Sequence, residues 1–162
     1  MNSISPKANI SGLADIETSA KGSKLTVADG VMIDAFVKIK FTGGIGDINI
    51  GEGSYINAGC VLYSGNGIEI GKHVLIAANC TFAAVNHEYI RRDKLIKEQR
   101  FKESKGGIII EDDVWIGAGV VILDGAVIKQ GAVIAAGSVV AGIVEAYAVC
   151  GGNPLKILKY RQ

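Results

Sequence analysis

The chain has 162 residues, 17 of them basic and 16 acidic, giving a formal charge of +1, and 49% are hydrophobic. The length fits one domain with a substantial core, and the balanced charge excludes a general nucleic-acid binder, so any anionic ligand must be held locally. With 22 Gly, 2 Pro and only 6% aromatic residues, core-filling falls to Ile and Val, which suit β-structure.

The N-terminus, Met1 followed by NSISPKANIS, has neither the basic flank nor the apolar stretch of a signal peptide, and no later run is long enough to span a bilayer. Cys60, Cys80 and Cys150 make an odd count without metal-ligand spacing, which argues against a disulfide framework and for a reducing compartment. The expectation is a soluble, cytoplasmic protein.

Ile4, Ile10 and Ile16 set a step of six residues that no amphipathic helix repeats, because 3.6 residues per turn would carry those positions around the axis. The step breaks over 17–26 and returns at Val27, Ile33 and Ile39. It returns again at Ile50, Ile56 and Leu62, and at Ile70, Ile76 and Phe82. The clearest run is the last, from Ile110 through Ile116, Ile122, Ile128 and Ile134 to Val140, with a small or β-branched residue four places after each aliphatic one. A chain that turns a corner every six residues and stacks strand on strand explains this pattern. Three steps close one triangular coil, so the core triplets 4–16, 27–39, 50–62, 70–82, 110–122 and 128–140 predict six coils.

Residues 86–109 interrupt the repeat with a polar excursion holding seven Lys or Arg and four Asp or Glu. A loop this long inside a compact domain is usually functional. The predicted organisation is an all-β parallel β-helix over 1–145, with this excursion at 86–109, and a C-terminal capping segment over 146–162 that forms a short helix after Pro154.

The repeat, NHEY at Asn86–Tyr89, DVWIGAGVVI at Asp113–Ile122 and GGNPLKIL at Gly151–Leu158 together resemble the left-handed β-helix, hexapeptide-repeat acyltransferases. Within that family the sequence is most similar to the sugar O-acetyltransferases, which include galactoside and maltose acetyltransferases and enzymes of bacterial surface-polysaccharide assembly. The motifs cover about residues 48–160, and the earlier coils match by repeat alone. The resemblance implies a left-handed coil, an exception to the usual crossover hand. It also implies a homotrimer with active sites between subunits, acetyl-CoA as donor and a sugar as acceptor, with no metal.

Acetyl transfer to a hydroxyl needs a base, and imidazole suits it near neutral pH. The chain has His73 and His87, and His87 holds the position of the family's catalytic histidine, which makes it the expected general base. His73 follows a turn glycine in an ordinary repeat and reads as a surface residue. Either the Glu88 carboxylate or a backbone carbonyl would orient the His87 ring. Asn57 matches a family asparagine that contacts the acceptor, or serves as a corner residue of the coil; Tyr55 would face similarly. Trp115, the only tryptophan, matches one that packs by the histidine and the pantetheine arm, or else packs at a subunit interface.

The family match puts the CoA channel along the last coils, at Gly117, Ala118, Ala135, Ala136 and Gly137, with Lys156, Lys159 and neighbouring Arg161 for the phosphates. Where many relatives have Thr-Lys, this chain has Ala141 and Gly142, so one phosphate contact passes to Lys129, Lys156 or Lys159. Cys60 and Cys80 sit at core-packing positions. The principal alternative activity is N-acetylation of a nucleotide-linked amino sugar, whose diphosphate the basic loop would hold. A zinc hydratase on the same scaffold would need three imidazoles, and the chain has two.

Overall fold

The computed structural model describes residues 2–162. Short strands stack into three sheets of seven, eight and six strands, parallel except for the last strand of the second, and form the sides of a triangular prism. The six-residue step sets their register. Ile4, Val27, Ile50, Ile70, Ile110, Ile128 and Val144 stack along the first sheet. Ile10, Ile33, Ile56, Ile76, Ile116, Ile134 and Cys150 stack along the second. Ile16, Ile39, Leu62, Phe82, Ile122 and Val140 stack along the third.

Each aliphatic residue points inward because alternate residues of a strand face opposite sides, and one step of six returns the same face to the core. The residue four places later does more than ease a corner. Val31, Val37, Ser54, Cys60, Val74 and Cys80 are all buried, so each hexapeptide sends two side chains into the core. The corners themselves need left-handed backbone, which glycine adopts without a Cβ penalty. Gly53 does so at φ 67°, and on the next coil His73 takes the same corner at φ 55°. A Cβ on Gly53 would lie 2.6 Å from the His73 ring nitrogen Nδ1, so that ring packs against the corner of the coil before it.

Two expectations are corrected. The coil does not end at residue 145: Ile143–Val144 and Ala148–Gly151 add a partial seventh coil. The C-terminal segment is not a helix after Pro154. Lys156–Tyr160 is a strand that pairs antiparallel with Ala148–Gly151. The last strand of the second sheet otherwise presents unpaired N–H and C=O groups, and a β-prone KILKY segment satisfies them. The one helix among the described residues, α1 (Ile96–Gln99), lies inside the loop excursion. At the opposite end no strand among the described residues covers the first coil, and Ile4 is 44% exposed.

The excursion leaves the third sheet after Thr81–Ala83 and rejoins the first at Ile108–Ile110. Register across it is unchanged: Ile70 pairs with Ile110 as it does with Ile50. No helix among the described residues is long and apolar enough to cross a membrane.

Candidate active site

His87 stands where the excursion departs, and a short antiparallel bridge to Phe101 ties the two limbs of the loop together. Its Nδ1 is 3.1 Å from the Arg100 carbonyl oxygen. A carbonyl only accepts, so this bond places the proton on Nδ1 and leaves Nε2 as the basic nitrogen. The ring also packs on Phe101, with centroids 4.9 Å apart. Of the two candidate orienting groups, the backbone carbonyl therefore holds the ring. Glu88 is turned elsewhere: its Oε1 accepts from the backbone N–H groups of Tyr89 and Ile90, at 2.8 and 3.0 Å. Those two N–H groups, with Lys102 at longer range, hold its carboxyl below the usual carboxylate range.

Asn57 follows Tyr55–Ile56 at the corner between the second and third sheets, and its amide donates to the Ile76 carbonyl at 3.2 Å. That bond is the coil-corner role, and it leaves the amide oxygen free of any protein donor among the described residues. The Tyr55 hydroxyl is 3.4 Å from Asp34, whose charge raises the Tyr55 pKa, with smaller contributions from burial and the hydrogen bond. His87 departs from the corner between the third and first sheets. One chain therefore puts His87 and Asn57 on different corners and does not bring them together.

The residues expected to hold the donor fall into two adjoining groups. Trp115 and Lys159 line a groove of about 860 Å³ on the outer face of the second sheet, with Leu75, Val133, Val149 and Arg161. Register explains the alignment: Leu75, Trp115, Val133, Val149 and Lys159 are successive partners across the strands. Gly117, Ala118, Ala135 and Ala136 occupy the corner that follows this face. There the coils touch so closely that a Cβ on Gly117 would lie 2.6 Å from the Ala136 backbone nitrogen. Coil packing alone thus demands glycine at 117.

Among the cations named for phosphate contact, Lys129 is taken, with Nζ 2.7 Å from Glu145. Arg161 pairs with Asp113 at 3.0 Å and also bonds the Gly131 carbonyl. Lys156 and Lys159 belong to no ion pair among the described residues. Cys60 and Cys80 are fully buried, and both thiols donate to the Ala77 carbonyl at 3.2 Å. The Cys80 thiol and burial push the Cys60 thiol far up.

The sequence reading missed Phe101, Lys102, Lys105 and Asp124. Asp124 had a visible signal. It takes an inward position that Ser64 and Ala84 fill on earlier coils, and it is an acid only 3% exposed. Its two oxygens accept from Lys105 N and Gly107 N, each at 2.9 Å, which pins the returning limb of the loop to the coil.

Comparison with known proteins bears on this arrangement. The bacterial transferase hexapeptide family model, of six repeats, matches residues 107–142. The chain is 29% identical over 92 residues to the galactoside O-acetyltransferase of Lactococcus lactis subsp. lactis (strain IL1403), covering 56% of this chain and 42% of that protein. It therefore spans less than half the length of that curated relative. A hexapeptide-repeat acetyltransferase of Vibrio cholerae, solved with acetyl coenzyme A, is 30% identical, with a TM-score of 0.66 over 80% of this chain and 67% of that one. A variant of AntD, an N-acyltransferase of Bacillus cereus solved with dTDP-4-amino-4,6-dideoxyglucose and coenzyme A, is 26% identical. It superposes with a TM-score of 0.84 over 99% of this chain and 84% of that one. The chain belongs to the hexapeptide-repeat acyltransferases, and its prism is their left-handed parallel β-helix.

Proposed function

We propose that the protein is an acetyl-CoA-dependent acetyltransferase that modifies a hydroxyl of a sugar or saccharide, acting as a cytoplasmic homotrimer in surface-polysaccharide assembly. The observation that carries this reading is the His87 ring, whose Nδ1 is fixed by the Arg100 carbonyl so that Nε2 is free to act as base. In the reaction, His87 Nε2 takes the hydroxyl proton as the acceptor oxygen bonds to the acetyl carbon. The carbon–sulfur bond then breaks, and the proton passes to the leaving thiolate. Asn57 and Tyr55 hold the acceptor.

The outer face of the second sheet suits the donor. It offers a long groove, the Trp115 ring, small residues at the adjoining corner, and Lys159 and Lys156 unpaired for phosphates. The trimer is supported by the division of the site between two corners, which a second copy would complete. Exposed apolar side chains on that face, Leu75 at 51% and Trp115 at 54%, support it too.

The test is acetyl transfer followed by mass spectrometry with wild type and His87→Ala. Loss of the base should lower turnover by about 10²–10⁴-fold. A variant that assembles normally and keeps near-normal turnover overturns the reading.

A second reading, N-acetylation of a nucleotide-linked amino sugar, is favoured by the likeness to AntD over 99% of this chain. A neutral amine needs less help from a base, so paired hydroxyl and amino acceptors separate the two readings through the size of the His87→Ala effect.

A further inference from the structure

Beside His87 the two limbs of the loop flank an open pocket of about 340 Å³, lined by Asn86, His87, Tyr89, Lys102 and Lys105. Two of its five lining side chains are cations and none is a carboxylate. Of the neighbouring acids, Glu103 is exposed, does not line the pocket and joins no ion pair among the described residues, and three others are engaged elsewhere. Glu88 accepts from the Tyr89 and Ile90 N–H groups, Asp93 pairs with Arg91, and Asp124 uses both oxygens on backbone. Neither lysine belongs to an ion pair among the described residues. Lys102 Nζ lies instead 5.5 Å above the Tyr89 ring centre.

These lysines are fixed at their backbones. Lys102 N donates to the Asn86 carbonyl at 2.8 Å, which keeps it across from the residue before His87. Lys105 N donates to Asp124, and a Cβ on Gly125 would come 2.7 Å from the Lys105 Cβ, so the Lys105 stem lies on the coil corner. Both lysines line one pocket that holds no carboxylate, and a neutral sugar there would leave both charges without a partner. A phosphate supplies that partner and accepts from both.

We propose that this pocket is an anion subsite of the acceptor, formed by Lys102, Lys105 and Tyr89, and that the acceptor is a phosphorylated sugar and not a free saccharide. The inference rests on the reading of His87 as the base of acetyl transfer, since it places the acceptor's phosphate beside that ring.

The test uses the full-length protein and an acceptor series of a hexose, its 1-phosphate and its dTDP conjugate, each in hydroxyl and 4-amino form. KM for the free sugar should exceed that of both phosphorylated forms at least tenfold. Lys102→Met with Lys105→Met should raise KM for the phosphorylated forms by about ten- to a hundredfold, with a far smaller change in kcat, whereas Lys97→Met on α1 changes neither. Equal KM values for the 1-phosphate and the dTDP conjugate assign recognition to phosphate alone; a lower value for the conjugate adds the nucleoside. Either result supports the subsite.

Free and phosphorylated sugars with equal KM, or lysine variants that behave like Lys97→Met, overturn it while leaving acetyl transfer itself intact. Failure of the base reading shows separately, as turnover that survives His87→Ala. If nothing in the series is acetylated, calorimetry with inorganic pyrophosphate decides: binding that the double variant abolishes supports the subsite, and no binding to wild type at millimolar concentration overturns it.

Discussion

The Arg100 carbonyl oxygen accepts from His87 Nδ1 and, 3.0 Å away, from the Glu88 backbone N–H. One oxygen thus sets both the tautomer of the ring and the path of the chain just after it. Because Arg100 holds this position at φ 63°, its carbonyl turns toward His87 through an unusual backbone conformation for a non-glycine residue.

Phe101 supports the same ring from one side. Phe101→Ala should leave Nδ1 bonded but let the imidazole tilt, which lowers kcat about two- to tenfold with little change in KM. Steady-state kinetics beside circular dichroism checks this, since the substitution lies outside the core and should not alter the fold.

Glu88 gives the loop a dependence on pH. Its folded carboxyl titrates below the ordinary carboxylate range because two backbone N–H groups favour the charged form. A depressed folded pKa contributes order that is complete above the unfolded value, about 4, and is lost as pH falls through the folded one. Pepsin should therefore begin to cut within 88–92 only below about pH 4. Glu88→Ala should be cut at higher pH, and equal cleavage of both proteins at every pH would remove the role assigned to this carboxylate.

Asp124 acts on the site only through the backbone it holds, so it is a positioning residue. Asp124→Asn loses one of two acceptor oxygens, and the prediction is a rise in KM for phosphorylated acceptors, smaller than that of the lysine pair, with kcat for acetyl transfer changed little. Hydrogen exchange at Lys105 and Gly107 should accelerate in the same variant. A KM that stays put while those amides exchange faster would separate the clamp from acceptor binding.

Phe82 is the largest fully buried side chain, stacked between Leu62 and Ile122. Phe82→Ala removes a ring that neighbouring coils cannot collapse to replace, and should cost about 3–5 kcal/mol in chemical denaturation. Phe82→Leu, which matches the Leu62 position below it, should cost much less.

All three cysteines are free and buried, with Cys150 the most accessible at 2%. Burial raises the Cys150 thiol as well. The folded protein should be silent to a thiol reagent over hours and release three equivalents in denaturant.

The coil was legible in the sequence because its physics is local and repeats: Ile110, Ile116 and Ile122 state the same geometric requirement at one interval. Positive-φ corners at His73 and Asp113 escaped that reading, since glycine is the signal and neither residue is one. The C-terminal strand escaped it too, because Lys156–Tyr160 folds back antiparallel on Ala148–Gly151, the open edge of the second sheet, and carries no six-residue step of its own. In the site, His87 stood out by its rarity and its place before a long loop. Lys102, Lys105 and Asp124 did not, because charges in a polar excursion look alike until a fold decides which of them meet.

The unchanged pairing of Ile70 with Ile110 has a consequence for how such proteins diversify. A coil that rejoins its neighbour in register whatever lies between makes the excursion an exchangeable cassette, joined to the scaffold at one corner and latched by Asp124. Closing a longer loop adds only about 0.6 kcal/mol for each doubling of its length. The segment 86–107 can therefore be replaced while the strands above and below keep their partners, and a graft of a relative's loop that preserves the Asp124 latch should fold as stably as the parent.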